Sequence, residues 1–134
     1  MQYRCPESTM LGKAELHGYR LTSRGNLGAS YFTVEPCEDK SVPIGVWTIS
    51  EKDEANLDFY EGYPGLYRKE TVGIDVECFD GSKKKIEGLI YIMNGNRPEI
   101  MPSLRYIDIC KEGYRDFGLN TKDLRETLDE LSER

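Results

Sequence analysis

Val72-Gly73-Ile74-Asp75-Val76-Glu77-Cys78-Phe79-Asp80-Gly81-Ser82 carries the fold decision. Val72, Ile74, Val76 and Cys78 alternate with Gly73, Asp75 and Glu77, the period of two expected when one face of a strand is covered. Asp80-Gly81 then reads as the turn of a β-hairpin, with Ile86 to Met93 as the return strand. Working back along the chain, Lys13 to Thr22 places Ala14, Leu16, Gly18 and Arg20 on one side and Glu15, His17, Tyr19 and Leu21 on the other. Its alternation is imperfect, but its β-type residues and lack of helical spacing favour a strand, with Gly18 marking a bulge or a close backbone approach. Tyr31 to Val34 and Ile44 to Ile49 are expected as two further strands. Ile44 and Val46 oppose Trp47 and Ile49, so that strand should be covered on both faces and lie centrally. Strands crowd the first two-thirds of the chain without regular strand-helix alternation. The class is therefore α+β, a small twisted mixed sheet or barrel flanked by short helices, and not a doubly wound parallel sheet.

The same spacing arguments place three helices. Ser50 can cap one, with Asp53 three positions on as a short-armed capping box, and Gly62 suits its end. Ser103 starts a second, carrying Leu104, Ile107, Cys110 or Lys111, Tyr114 and Phe117 on neighbouring turns, and Gly118 closes it. Asn120 with Asp123 resembles another capping box, before a helix striped by Leu124, Leu128 and Leu131. In the first helix Glu61 lies four residues beyond Leu57, so it shares the side that Leu57 directs inward. Partial burial and the negative end of the helix dipole are both expected to disfavour its charged form, which suits a group that must take and return a proton. Pattern alone nevertheless favours the plainer reading, an acid that merely ends an exposed helix. Asp58, three residues earlier, is expected to serve the helix surface or a hydrogen bond, since helical spacing by itself does not make two carboxylates converge.

The chain has 134 residues, which predicts one domain over 1–134, long enough to bury roughly two-thirds of the surface its unfolded chain exposes. Cys5, Cys37, Cys78 and Cys110 are far apart in sequence and form none of the close pairs of zinc or redox sites, so reduced thiols are expected. His17 is the only histidine, which excludes a multi-histidine metal site and leaves a triad without support; a surface or structural role is expected. A net charge of −6 argues against non-specific binding to nucleic acid. Lys83-Lys84-Lys85 follows the hairpin turn and reads as a solvated strand end. No apolar run is long enough to cross a membrane and no secretory leader is recognisable, so a soluble, cytoplasmic protein is expected.

The order of motifs resembles the gamma-glutamylcyclotransferase family, including its gamma-glutamylamine cyclotransferase relatives. The resemblance rests on Arg4-Cys5-Pro6, Ala14 through Leu21, Gly45-Val46-Trp47, Leu57-Asp58 with Tyr60-Glu61-Gly62, Leu66-Tyr67-Arg68, and Pro102-Ser103 followed by Tyr106 and Gly113-Tyr114. It covers nearly the whole chain. The family motif places its catalytic acid in the segment occupied by Glu61, which reverses the plainer reading of that residue. The resemblance implies an enzyme of the amide-cleaving lyase or transferase type, in which the free α-amine of a gamma-glutamyl amine or dipeptide attacks its own γ-carbonyl. The products would be 5-oxoproline and a free amine. No metal or cofactor is implied, because the substrate carries its own nucleophile. Tyr67 and Tyr106 occupy positions where the resemblance suggests substrate-positioning tyrosines; Tyr67 is equally suited to packing, and Tyr106 better suited to it.

The family opens with a strand ending in a Tyr-Gly-Ser-Asn loop, whose backbone amides bind substrate. Nothing before Arg4 matches it, and Met1-Gln2-Tyr3 resembles the end of the helix that follows the loop. Activity is therefore expected to depend on such a loop being supplied, since losing oxyanion donors costs on the order of a hundredfold or more in rate. An uncovered strand edge would also invite a second chain, which leaves a homodimer open. The alternative function is a non-catalytic small-molecule-binding or interaction protein that retains the fold.

Overall fold

A computed structural model describes residues 5–133. Arg4 and the Met1-Gln2-Tyr3 stretch, to which two of the expectations above attach, lie outside those residues. The elements run in the order β1 (Thr9–Asn26), β2 (Ala29–Thr48), α1 (Glu51–Tyr60), β3 (Tyr67–Cys78), β4 (Lys83–Met93), α2 (Leu104–Phe117) and α3 (Lys122–Ser132). The class is α+β. The four strands form one antiparallel sheet in the order β2-β1-β3-β4. The barrel reading is corrected: β2 and β4 end the strand order, and the sheet is not closed. The central placement of Ile44 to Ile49 is corrected as well. That segment, up to Thr48, and Tyr31 to Val34 are parts of one 20-residue strand, β2, which is terminal in the sheet. Pro36 and Pro43 lie within it, as an edge strand tolerates. Ile44, Val46 and Trp47 are only half-buried, so apolar residues on both faces did not signify a central strand.

Two compact units divide the chain. The first comprises Met1–Ala14 and Gly45–Asn94. Its frame is the β3–β4 hairpin, paired from Tyr67↔Met93 to Glu77↔Lys83 around the Asp80-Gly81 turn. The Asp80 carboxylate accepts from both the backbone amide (2.8 Å) and the hydroxyl (2.6 Å) of Ser82, which fixes that turn. Ile74, Val76 and Cys78 are buried and Asp75 and Glu77 exposed, as the alternation predicts. β1 meets β3 at Gly12↔Cys78 and Lys13↔Glu77. A Cβ on Gly12 would stand 2.2 Å from the Glu77 carbonyl oxygen and 2.7 Å from the Cys78 Cα, so the backbones approach too closely for any side chain. The close approach expected at Gly18 thus occurs at Gly12; Gly18 has φ +82° with open space where a Cβ would be. α1 starts as its sequence requires: Ser50 Oγ accepts from the Asp53 amide at 3.1 Å. The reciprocal half of the capping box is missing, because both Asp53 carboxylate oxygens are buried without a hydrogen-bond partner among the described residues.

The second unit comprises Glu15–Ile44 and Gly95–Arg134. Within it the end of β1 is extended by the segment after β4: Gly25 N donates to Pro98 O (3.2 Å) and Ile100 N to Ser23 O (3.0 Å). Arg20 and Arg24 both pair with Glu35 and Glu99, and Thr22 donates to Glu99 at 2.6 Å. The bond to Glu35, opposed by burial, holds the Arg24 guanidinium above its ordinary pKa. α2 is capped by Ser103, which accepts from the Tyr106 amide at 3.2 Å, and ends at Gly118 with φ +67° in the left-handed region. Ile107 and Phe117 of its expected stripe are buried, but Leu104 is 81 % exposed, being the first residue of the helix. Before α3, Asn120 Oδ1 accepts from the Lys122 amide at 2.8 Å, a turn bond two residues on in place of the capping box expected with Asp123. Leu124 and Leu131 are buried, and Thr127 donates to the Leu21 carbonyl at 3.1 Å, which ties α3 to β1.

Candidate active site

The end of α1 positions the candidate acid. Glu61 is the C-cap, with φ −82° and its amide donating to Leu57 O at 2.8 Å. Leu57 is buried and Glu61 half-buried. Gly62 then turns the chain with φ +63°, and a Cβ there would stand 3.2 Å from that of Leu66. The loop is pinned on both sides: Tyr63 N donates to Asp58 O (2.9 Å) and Leu66 N to Gly62 O (2.8 Å). From the end of β4, Asn94 donates its amide to Pro64 O (2.8 Å) and Gly65 O (3.0 Å), and its backbone N–H to Leu66 O (2.9 Å).

Asp58 anchors the last turn of α1. Its Oδ1 accepts from the Tyr91 hydroxyl at 2.5 Å, and its Oδ2 pairs with Lys69 Nζ at 3.0 Å. Lys69 also pairs with Glu54 at 2.9 Å and lies 4.4 Å from the centre of the Tyr63 ring. The Tyr91 bond, ahead of the Lys69 contacts and against burial, holds the Asp58 carboxyl below the usual range. Glu54 and then Asp58 hold the Lys69 ammonium above its own. Tyr91 is pushed strongly upward, first by burial, then by the bond to Asp58 and the charges of Asp58, Glu54 and Glu61. Both oxygens of Asp58 are engaged in holding the helix end, which is the hydrogen-bonding role expected of it.

Tyr67 opens β3 opposite Met93 and is 7 % exposed, in the same unit as Glu61. Tyr106 belongs to the second unit. There its hydroxyl accepts from the Phe32 amide at 3.1 Å, and its ring meets Tyr31 edge-on at 5.3 Å and Phe32 tilted at 5.5 Å. Burial pushes the Cys110 thiol up, against the effect of its hydrogen bond with Tyr106. Sequence reasoning missed Glu54, Lys69, Tyr91 and Asn94. One signal was available, since pairing outward from the Asp80-Gly81 turn sets Lys69 directly opposite Tyr91.

The sequence profile of the family described as "Gamma-glutamyl cyclotransferase, AIG2-like" matches residues 1–108. No curated protein sequence matches the chain. Among solved structures, one titled "Gamma-glutamyl cyclotransferase" superposes with a TM-score of 0.78 at 22% identity, covering 97% of this chain and 78% of that one. An uncharacterized protein from Homo sapiens gives a TM-score of 0.77 at 22% identity with the same coverage. YkqA from Bacillus subtilis gives 0.69 at 23% identity, covering 90% of this chain and 44% of that one. At these identities the neighbours speak to the fold. With the family profile matching 108 of 134 residues, the chain belongs to the gamma-glutamyl cyclotransferase, AIG2-like family.

Proposed function

We propose that residues 1–134 act as one gamma-glutamylcyclotransferase-like domain that converts a gamma-glutamyl amine or dipeptide to 5-oxoproline and a free amine. Glu61 takes a proton from the α-ammonium group of the substrate. The freed amine attacks the γ-carbonyl, a carbon–nitrogen bond forms to close the ring, and the original amide bond breaks. Glu61 returns that proton to the departing nitrogen and then passes to the released amine the second proton that the ring nitrogen sheds as it becomes the lactam N–H, so the amine leaves as an ammonium and Glu61 ends the cycle ionised, as it began. Tyr67 and Tyr106 are assigned to holding the substrate, since ring closure depends on keeping the amine against the carbonyl. The nucleophile belongs to the substrate, and the scheme calls for no cofactor. A small-molecule substrate and a cytoplasmic setting belong to the same proposal, the latter in keeping with four cysteines none of which forms a disulfide.

The observation that carries this reading is the placement of Glu61. It is half-buried at a helix end held by Asp58 and ahead of a loop held by Asn94, its charge contributes to the raised pKa of the half-buried Tyr91 phenol, and it lies in the segment where the family motif has its acid. The test is incubation with a panel of gamma-glutamyl amines and dipeptides, with 5-oxoproline measured directly. Glu61→Gln should lower its release by about a hundredfold or more, the usual range for a lost acid–base group. Equal release by the variant would remove Glu61 from the mechanism. Ligand binding without any turnover would favour a binding protein that retains the fold.

A further inference from the structure

Lys69 has no part in the proposed chemistry, yet it is the hub of the charged cluster on α1. Its ammonium bridges Glu54 (2.9 Å) and Asp58 (3.0 Å), one helical turn apart, and packs at 4.4 Å over the ring of Tyr63 in the loop that follows Glu61. Its side chain is 18% exposed, less than that of either acid. Asp58 in turn receives the Tyr91 hydroxyl. One cation on β3 thus links the helix face, the loop after the acid and, through Asp58, strand β4.

We propose that Lys69 is a positioning residue for Glu61, holding the last turn of α1 against β3 and offsetting the negative charge that Glu54 and Asp58 bring to Glu61's surroundings. The inference rests on the cyclotransferase reading for its kinetic consequence. The electrostatic part stands on the cluster itself. Glu54, Asp58 and Glu61, the last being the C-cap, follow one another at spacings of four and three along α1, which sets the three acids on one side of the helix end, and the charges of all three contribute to the raised pKa of Tyr91. Among the described groups that face that field are Glu54 and Asp58 from α1, Tyr63 from the loop, Lys69 from β3 and Tyr91 from β4. Without the ammonium, the remaining acids oppose ionisation of Glu61, and its titration moves to higher pH. Removing an acid moves it the other way.

The test uses Lys69→Met, which keeps most of the apolar stem, together with Lys69→Arg and Glu54→Gln. The Glu61 side-chain carboxyl is titrated by carbon-13 NMR, and kcat and KM for 5-oxoproline release are measured across pH. Lys69→Met should raise the Glu61 midpoint by about half a pH unit and Glu54→Gln should lower it, shifts of the size expected for a partly screened charge. In Lys69→Met, kcat should fall roughly tenfold with KM within about twofold, as for an interaction felt in the transition state, and Lys69→Arg should restore most of it. A folded Lys69→Met with an unmoved Glu61 midpoint, or with a moved midpoint and wild-type kcat, overturns the proposal. If Lys69→Met does not fold, an unmoved midpoint in Glu54→Gln overturns it instead. A wild-type protein that releases no 5-oxoproline from any substrate sinks the cyclotransferase reading, and the midpoints alone then decide the electrostatic role of Lys69.

Discussion

Replacing Gly12 with alanine tests the packing of β1 on β3 in the unit that carries Glu61. The new Cβ would lie 2.2 Å from the Glu77 carbonyl oxygen, 2.7 Å from the Cys78 Cα and 2.9 Å from the Glu77 carbonyl carbon. Ordinary contact begins at 3.4 Å, and all three obstructing atoms belong to backbone, so no side-chain rotation relieves the overlap. The strands must part by about an ångström at Gly12↔Cys78, where overpacking costs typically 1–3 kcal/mol and a backbone obstruction falls at the upper end. For a chain of 134 residues, at about 2 cal/mol/K of unfolding entropy per residue, a loss of roughly 3 kcal/mol lowers Tm by roughly 10 °C. Urea denaturation followed by the fluorescence of Trp47, the single tryptophan, gives the free-energy loss, and thermal unfolding followed by circular dichroism gives the Tm shift. Gly73→Ala is the control: it changes a strand glycine of the same sheet with open space at the Cβ, and should fall within about 0.5 kcal/mol of wild type. A loss below about 1 kcal/mol in Gly12→Ala, or equal damage from Gly73→Ala, would refute the close-approach argument.

Two further outcomes follow from the hydrogen bonds of each unit. The folded pKa of Asp58 is depressed by Tyr91 and Lys69, so its contribution to stability is present above the unfolded carboxylate range and is lost as pH falls through the depressed value. The stability difference between wild type and Asp58→Asn should therefore be largest near neutrality and narrow below about pH 4; a constant difference from pH 7 to 2 would contradict it. In the second unit, Tyr106→Phe keeps the ring against Tyr31 and Phe32 but removes the acceptor of the Phe32 amide. It should cost about 1–2 kcal/mol in denaturation and speed hydrogen exchange at Phe32, whereas an unchanged exchange rate would show that the hydroxyl does not hold that amide.

The β3–β4 hairpin was legible because alternation and turn chemistry agree: Asp80 and Gly81 are suited to the turn and Ile74, Val76 and Cys78 to the covered face. The helix starts at Ser50 and Ser103 were legible for a similar reason, since a capping hydroxyl acts on an amide three residues away. β2 was not, because Pro36, Pro43 and the charged Glu38-Asp39-Lys40 read locally as an interruption, while the pairing that carries the strand through them is long-range. Gly12 was hidden because no local pattern distinguishes a glycine beside a crossing strand from one at a bulge. At the site, the family motif singled out Glu61, which helical spacing alone left as the plain end of a helix. The partners that surround it could not be singled out in this way, since Lys69 and Tyr91 reach α1 from strands 11 and 33 residues beyond Asp58.

Asn94 gives the loop after Glu61 a property set far away in sequence. Its side-chain amide and backbone N–H together hold the carbonyls of three successive residues, Pro64, Gly65 and Leu66. A segment rich in glycine would otherwise sample many shapes on the nanosecond scale. Held in this way, it can rearrange only when the end of β4 lets go, which turns a fast local wobble into a rare, collective event. Under the proposed function, the carboxylate at the head of the loop would meet its substrate in a conformation already selected, with the ordering cost met during folding instead of at each encounter.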